Sequence, residues 1–453
     1  MSVRHITFLF LAVAIGSATS IHALQEAAVQ AHRLTLQEAI DKGLQANLNV
    51  LLSASNVDEA QGTRLRRLSA ALLPRVGAQT YANLQNRNLR AFGFSLPGMP
   101  DVVGPFSNYD IRLYAQQNIV DRQSIHALRA SDRNVDAGKL DLRDVRDLVV
   151  RAVAAIYLSA ESASARSDAA QSRVSTSNVL LQLARDKHDA GTATGVDVLR
   201  AQVQLANDRQ ALLIAQNNYK QTLLELERMI GMTPGVPVEL AETLQFHSLP
   251  DQQLDQLMSL ALAKRADYRS LAAQRASLLE QQKANRARSY PKLSVNGNFG
   301  GLGRSVGSIQ ATGLLQGQVD FTLFDKDREG EAQELAGRLK SMDDRIADMR
   351  RGIEQDVREA LLDLQSAAEQ VDVAHQGKKL AERELEMAQD RFQQGTANNV
   401  EVVTAQDALA RAQENYISAL TSHMDATYAL ARALGDTESN VRLFAEDHSA
   451  IQH

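Results

Sequence analysis

Hydrophobic residues recur along this chain with two spacings, and the change from one to the other marks out its elements. Leu293, Val295 and Phe299 alternate with Ser294, Asn296 and Asn298, and Leu315, Gly317, Val319, Phe321 and Leu323 alternate with Gln316, Gln318, Asp320 and Thr322. Period-two alternation predicts two amphipathic strands. Val76, Ala78, Thr80 and Ala82 against Gly77, Gln79, Tyr81 and Asn83, then Tyr109, Ile111, Leu113 and Ala115 against Asp110, Arg112, Tyr114 and Gln116, predict two more. Elsewhere the steps are three and four. Leu205, Asp208, Leu212, Ala215, Tyr219, Thr222, Leu226 and Met229 follow them, as do Leu409, Ala412, Tyr416, Ala419, His423, Ala426, Leu430 and Ala433; this is the spacing of coiled-coil seams. Many of these side chains are small, so the helices approach closely but bury little area, and further association is expected.

The pattern occurs twice. A shift of 204 positions lays Gly191-Thr192-Ala193 on Gly395-Thr396-Ala397, Val196 and Val198 on Val400 and Val402, Ala201-Gln202 on Ala405-Gln406, and Gly231 on Gly435. The same shift lays Val120-Asp121 on Phe324-Asp325, while Pro74 meets Pro291 at a shift of 217. Such self-similarity marks an internal repeat. The first copy therefore carries 13 extra residues between its Pro and its Asp, in a stretch with Phe92, Phe94, Pro97, Pro100 and Pro105 that reads as a loop.

Eight prolines in 453 residues, against a usual share of about 5%, leave room for very long helices. Residues 122–190 and 326–394 are proline-free, and each would extend about 100 Å as a helix. A compact globule cannot hold them. The returning segments, 196–231 and 400–435, cover roughly half of that length, and helices at 35–72 and 252–289 would stack end to end with them to cover the rest. The expected organisation is a leader at 1–23, a first repeat at 24–231 with strands in 75–121, and a linker at 232–251. A second repeat at 252–435 carries strands in 292–325, and a flexible tail fills 436–453.

Composition and charge narrow the chemistry. The net charge of −5 supplies no basic field for nucleic acid. The absence of cysteine removes disulfides, thiolate metal sites, a cysteine nucleophile and an N-terminal lipid anchor. Arg4 and His5, the apolar run Ile6 to Ile15, and the small residues 16–20 have the layout of a secretory signal, with cleavage expected near Ser20 or Ala23. That run is too short to span a bilayer, and no transmembrane helix is expected in the mature chain. The search for enzyme motifs finds no H-E-x-x-H, G-x-x-x-x-G-K-[ST] or G-x-S-x-G, and Gly301-Leu302-Gly303 lacks a third glycine at the right spacing. The ten histidines lack ligand spacing; His188 and His423 read as ordinary helix residues. No enzyme activity, cofactor or metal site is expected.

Strands of about ten residues suit a tilted crossing of a hydrocarbon core. Nine of the twenty Phe and Tyr residues fall in 74–121 and 291–325, about twice an even share, as interfacial girdles require. The same hairpins could instead be soluble elements packed on helices, and the absence of Trp favours that reading. If they are in lipid, four strands cannot close a barrel, and open edges are not tolerated there. Two chains would supply eight strands and a filled interior, three chains twelve and a lumen.

The duplicated plan, the Leu-Pro and Tyr-Pro steps before each hairpin, Val120-Asp121 and Phe324-Asp325, and Arg391-Phe392-Gln393-Gln394-Gly395-Thr396 followed by Val400-Glu401-Val402-Val403 together resemble the TolC-like outer-membrane efflux proteins over residues 34–435. The resemblance implies a mainly α fold with a small β part: a homotrimer whose coiled-coil helices form an α-barrel through the periplasm, continuous with a 12-stranded transmembrane β-barrel. It implies a passive exit duct in the outer-membrane lipid, coupled through a periplasmic adaptor to an inner-membrane pump. Small-molecule efflux and type I protein secretion stay open, beside a soluble periplasmic coiled-coil scaffold.

The Gly-Thr turns would lie at the periplasmic tip. Asp197 and Glu401 stand three residues after Thr194 and Asn398, the spacing of N-terminal helix capping. The resemblance also places Glu401 in an acidic aperture ring, with Thr404 at the ring's second acidic position, and Asp197 in a closing network whose Tyr and Arg partners are here Phe392 and Ala397. It assigns Gly191, Thr192, Gly395 and Thr396 to adaptor docking, although helix reversal alone accounts for them equally. Gln79, Tyr81, Asn296, Asn298, Gln316 and Gln318 would share one face of the strands.

Overall fold

The computed structural model describes residues 32–94, 97–234, 237–246, 253–435, 437–439 and 441. The leader expected at 1–23 lies outside the described residues, as do most of the tail and parts of the linker. The first repeat runs β1 (His32–Leu34), α1 (Leu36–Ala46), α2 (Leu48–Leu72), β2 (Arg75–Asn88), β3 (Val102–Val120), α3 (Arg122–Asp189) and α4 (Gly195–Met229). β4 (Val238–Leu240) lies in the linker, and the second repeat runs α5 (Leu254–Lys264), α6 (Ala266–Ala287), β5 (Lys292–Gly303), β6 (Gln310–Asp320), α7 (Lys326–Gln393) and α8 (Asn399–Leu434).

The long helices α3 and α7 have 68 residues each, about 100 Å. Both start on an aspartate. Asp121 accepts hydrogen bonds from the Ser124 amide at 3.0 Å and hydroxyl at 2.7 Å, and Asp325 accepts from the Arg328 amide at 3.3 Å. These bonds satisfy amides that the first helical turn leaves unpaired. Arg288 pairs with Asp325 at 2.7 Å and Lys292 with Asp121 at 3.3 Å, which anchors the sheet end of the bundle.

Two helices expected to be continuous are broken. Asn47 ends α1 and starts α2: its amide donates to the Gly43 carbonyl, and its side chain accepts from the Asn49 amide at 2.9 Å. Arg265 separates α5 from α6 without a side-chain cap: its amide donates to the Ala261 carbonyl, and its guanidinium bonds Asp267 at 2.7 Å and Asp356 at 2.6 Å. α1 already packs on α3 and α5 on α7 ahead of these breaks.

The strands form one antiparallel sheet in the order β2-β3-β5-β6, and β1 and β4 make a small parallel pair. β3 is longer than its alternation suggested, because Val102–Phe106 pairs with β2 beyond the reach of β5. Pro105 therefore stands within a strand rather than in the expected loop. Its missing N–H is tolerated there because Pro105 falls in the register shift opposite Gln85 and Arg87, at a bulge of the β2–β3 ladder.

The helices follow the same alternation of repeats. Beside the sheet α3 packs between α2 and α6, and α6 also touches α7; farther away α3 packs on α4 and α8, and α8 on α7. The largest core lies midway, where Leu34, Ile40, Val150, Val153, Tyr157, Leu226, Ile230 and Val238 close around α1, β1 and β4. α3 contains an 18-residue stretch apolar enough by length and composition to cross a membrane, and 56% of it is buried within the protein. That apolarity serves the core.

Candidate functional site

At the end away from the sheet, each long helix turns on a left-handed glycine, Gly191 with φ +72° and Gly395 with φ +75°. The Thr192 amide bonds back to the Lys187 carbonyl at 2.8 Å and the Thr396 amide to that of Arg391 at 3.0 Å, with the glycine amides reaching His188 and Phe392. This is the Schellman arrangement that satisfies the last helical carbonyls. The Thr192 and Thr396 hydroxyls donate to the same carbonyls at 3.0 and 3.1 Å. All four turn residues therefore build the reversal.

The two turns stand side by side. Lys187 Nζ donates to the Gln393 carbonyl at 3.1 Å, its ammonium lies 5.2 Å from the centre of the Phe392 ring, and Asn399 Nδ2 donates to the Asp197 carbonyl at 2.9 Å. Beneath them Leu180, Leu385, Ala388, Phe392, Val402 and Ala405 form an apolar plug.

Neither acidic candidate is bare. The Asp197 carboxylate accepts from the Thr194 hydroxyl at 2.7 Å and amide at 3.0 Å, with Arg200 at 3.7 Å. The Thr194 hydroxyl bond chiefly holds its carboxyl below the ordinary carboxylate range. Glu401 pairs with Arg391 Nη1 at 2.6 Å across the turn, and its amide bonds the Asn398 side chain at 3.3 Å. Thr404 is 2.9 Å from the Val400 carbonyl, to which its hydroxyl donates. It lines an apolar groove of about 390 Å³ with Val196, Leu199, Val203, Val400 and Val403. Arg391 was missed as a partner. Lys187 and Asp197 stand at the same two positions in the first copy, but there Lys187 bonds the Gln393 carbonyl and Asp197 pairs with Arg200.

The sheet has two unlike faces. Cross-strand partners share a face, and Tyr81↔Asp110, Gln79↔Arg112, Tyr114↔Asn298 and Asn296↔Gln316 gather the polar side chains on one. There the Tyr81 hydroxyl donates to Asp110 at 2.8 Å, Arg112 Nε donates to Asp110 at 2.7 Å, and Arg112 Nη1 reaches Asn298 at 3.4 Å. Asp110 is 2% exposed. An ion pair turned to hydrocarbon is costly, so this face suits water. The opposite face carries Val76, Leu84, Leu113, Phe299, Leu315 and Val319, all exposed on the single chain.

A third constellation has no local sequence signature. Tyr157 on α3 donates to the Leu34 carbonyl at 2.9 Å and makes a short hydrogen bond to Glu242, whose carboxylate accepts from the Leu36 amide at 3.2 Å. Glu161 is buried beside it, and burial followed by the Glu242 charge pushes its carboxyl up to about 8. Distant segments meet here, so spacing could not reveal it. His423 is buried against Phe246, ring centres 4.7 Å apart, and His188 sits 3.2 Å from the Ala193 carbonyl.

The profile described as outer membrane efflux protein matches residues 39–232 and 257–436. The chain is 23% identical over 423 residues to the pyoverdine export outer membrane protein OpmQ of Pseudomonas aeruginosa, covering 88% of this chain and 85% of that one. It is 24% identical over 434 residues to the probable efflux pump outer membrane protein TtgC of Pseudomonas putida, covering 89% and 83%. Its fold matches the outer membrane protein VceC of Vibrio cholerae with a TM-score of 0.72 at 17% identity, covering 88% of this chain and 96% of that one. The Campylobacter jejuni CmeC outer membrane channel matches with a TM-score of 0.72 at 15% identity, covering 97% and 98%.

Proposed function

The chain belongs to the outer membrane efflux protein family, and from that premise we propose that three copies join into one passive duct for small-molecule export. The observation that carries this reading is the four-stranded sheet: apolar on one face, polar on the other, and open at both edges, β2 and β6. Unpaired backbone costs several kcal/mol per group in lipid, so the edges must find partners there. Three sheets make twelve strands, enough to enclose a lumen lined by Tyr81, Asp110, Arg112 and Asn298.

The helices continue the bore into the periplasm, where α3 and α7 supply about 100 Å of wall. Asp197, Glu401 and Thr404 border the aperture at their far end. Since Arg391 and Arg200 compensate the two acids, the aperture presents little net negative charge and passes anions as well as cations. Gly191, Thr192, Gly395 and Thr396 form the rim that a periplasmic adaptor meets, and an inner-membrane pump behind it supplies the energy. The names of OpmQ and TtgC, an export and an efflux protein, favour small molecules over secreted proteins.

Reconstitution into planar lipid bilayers tests the duct. Protein extracted from outer membranes is expected to give discrete conductance steps. A purified chain that fractionates with the soluble periplasm and leaves bilayers silent would refute it.

A further inference from the structure

We propose that β6 of one copy pairs with β2 of the next in the register that β3 and β5 already hold within a single chain, and that residues 321–324 become strand in that junction. The inference rests on the three-copy reading and adds the residues that meet.

The internal duplication supplies the template. β2 maps onto β5 at a shift of 217 and β3 onto β6 at 204, and the hairpin registers obey both shifts. Arg75↔Gln116 becomes Lys292↔Asp320, Val76↔Ala115 becomes Leu293↔Val319, and Ala82↔Tyr109 becomes Phe299↔Gly313, each an observed pair. The β3–β5 junction joins the end of one repeat to the start of the next. Its counterpart is the step from β6 to the β2 of another copy. The same two shifts turn Gln117↔Val295, Gln116↔Asn296, Ala115↔Gly297 and Tyr114↔Asn298 into Phe321↔Ala78, Asp320↔Gln79, Val319↔Thr80 and Gln318↔Tyr81. The transfer is drawn no further than this. At Gly300, opposite Arg112, an added Cβ would lie 2.0 Å from the Ile111 carbonyl oxygen, and the β2 counterpart is Asn83.

Two observations point to the same partner. β3 continues to Val120, and its residues Gln117, Asn118 and Val120 pair with β5 alone. β6 stops at Asp320, four residues short of the counterpart of Val120, where its only neighbour ends. The missing stretch holds Phe321, Leu323 and Phe324, and Leu323 is 90% exposed. A second copy's β2 would supply the backbone partner and continue the apolar face. The register also keeps Gln318 and Asp320 beside Gln79 and Tyr81 on the polar face; a slip of one residue would turn Asp320 toward lipid. Along the helices, α6 is bound to α3 through the Ser270 and Ser277 hydroxyls and the Ala137 and Ala130 carbonyls, at 3.4 and 3.0 Å. The same two shifts carry this contact to Ser53 and Ala60 of α2 in the next copy, set against α7.

The chain has no cysteine, so paired cysteines read the register directly. Directly opposed strand residues have Cα atoms about 4.5–5.5 Å apart, within disulfide range, whereas four residues along a strand adds about 13 Å. In oxidised outer membranes, the double variants Thr80→Cys/Val319→Cys and Ala78→Cys/Phe321→Cys are expected to give reducible dimers and trimers on gels. Thr80→Cys/Leu315→Cys is expected to stay monomeric on the same gel. Cross-linking of that third pair in place of the first two, with the unoxidised particle still trimeric, would overturn the register alone. A particle that is monomeric throughout, with no pair cross-linked, would overturn the three-copy reading as well.

Discussion

Replacing Glu161 by Gln is expected to stabilise the protein at neutral pH and above. Glu161 is 4% exposed on α3, and burial followed by the Glu242 carboxylate raises its carboxyl from 4.5 to about 8. Tyr157 and Tyr428 also face this site, with the Arg151–Asp425 pair at 2.7 Å beyond them. A raised folded value means that the folded protein keeps a proton which the unfolded chain releases above pH 4.5. The stabilisation is fully present below pH 4.5, declines as pH rises through about 8, and levels off above. At about 1.4 kcal/mol per pH unit, the loss at pH 7 is about 3 kcal/mol and the full loss about 5 kcal/mol, an upper bound for a site that can admit water. Gln keeps the shape and the neutral state but does not titrate. Urea unfolding of the detergent-solubilised protein, followed by far-UV circular dichroism at pH 5, 7 and 8.5, should show the variant ahead by a margin that widens with pH. Equal pH slopes for the two proteins, or a less stable variant at pH 7, would refute the reasoning and mean that Glu161 is held as a paired charge.

Ser177→Ala removes the hydroxyl that donates to buried Asp208 at 2.6 Å between α3 and α4, and is expected to cost about 1–3 kcal/mol in the same unfolding assay. Gly395→Ala forces a side chain into a left-handed turn at φ +75°; a cost of about 1–2 kcal/mol should appear as faster amide exchange in the last turn of α7. Arg391→Gln releases Glu401 from its 2.6 Å partner, and in bilayers under a salt gradient the reversal potential should move toward cation selectivity, more at low ionic strength.

Much of the architecture is legible in the sequence because the repeat is written twice. The strand alternation around Val295 and Val319, the proline-free runs and the Gly191 and Gly395 turns each rest on local rules that tertiary packing did not override. The breaks at Asn47 and Arg265 escaped because neither is a Gly or Pro. Asn47 acts through its side-chain cap, and Arg265 is held by Asp356, 91 positions away. β3 outran its alternation because backbone pairing with β2 continues past Tyr109 where the apolar pattern lapses. At the tip, the capping spacing of Thr194 with Asp197 was plain, but the Arg391–Glu401 pair required the turn's shape. The Glu161, Glu242 and Tyr157 cluster joins three distant segments, and no periodicity reports such a meeting.

The most direct test of the three-copy duct is the mass of the particle extracted from outer membranes in detergent, read beside unheated and boiled gel lanes. Three chains of about 49.5 kDa each, with a boiled lane collapsing to one chain, are what closure of twelve strands predicts. A stable monomer or dimer would contradict it.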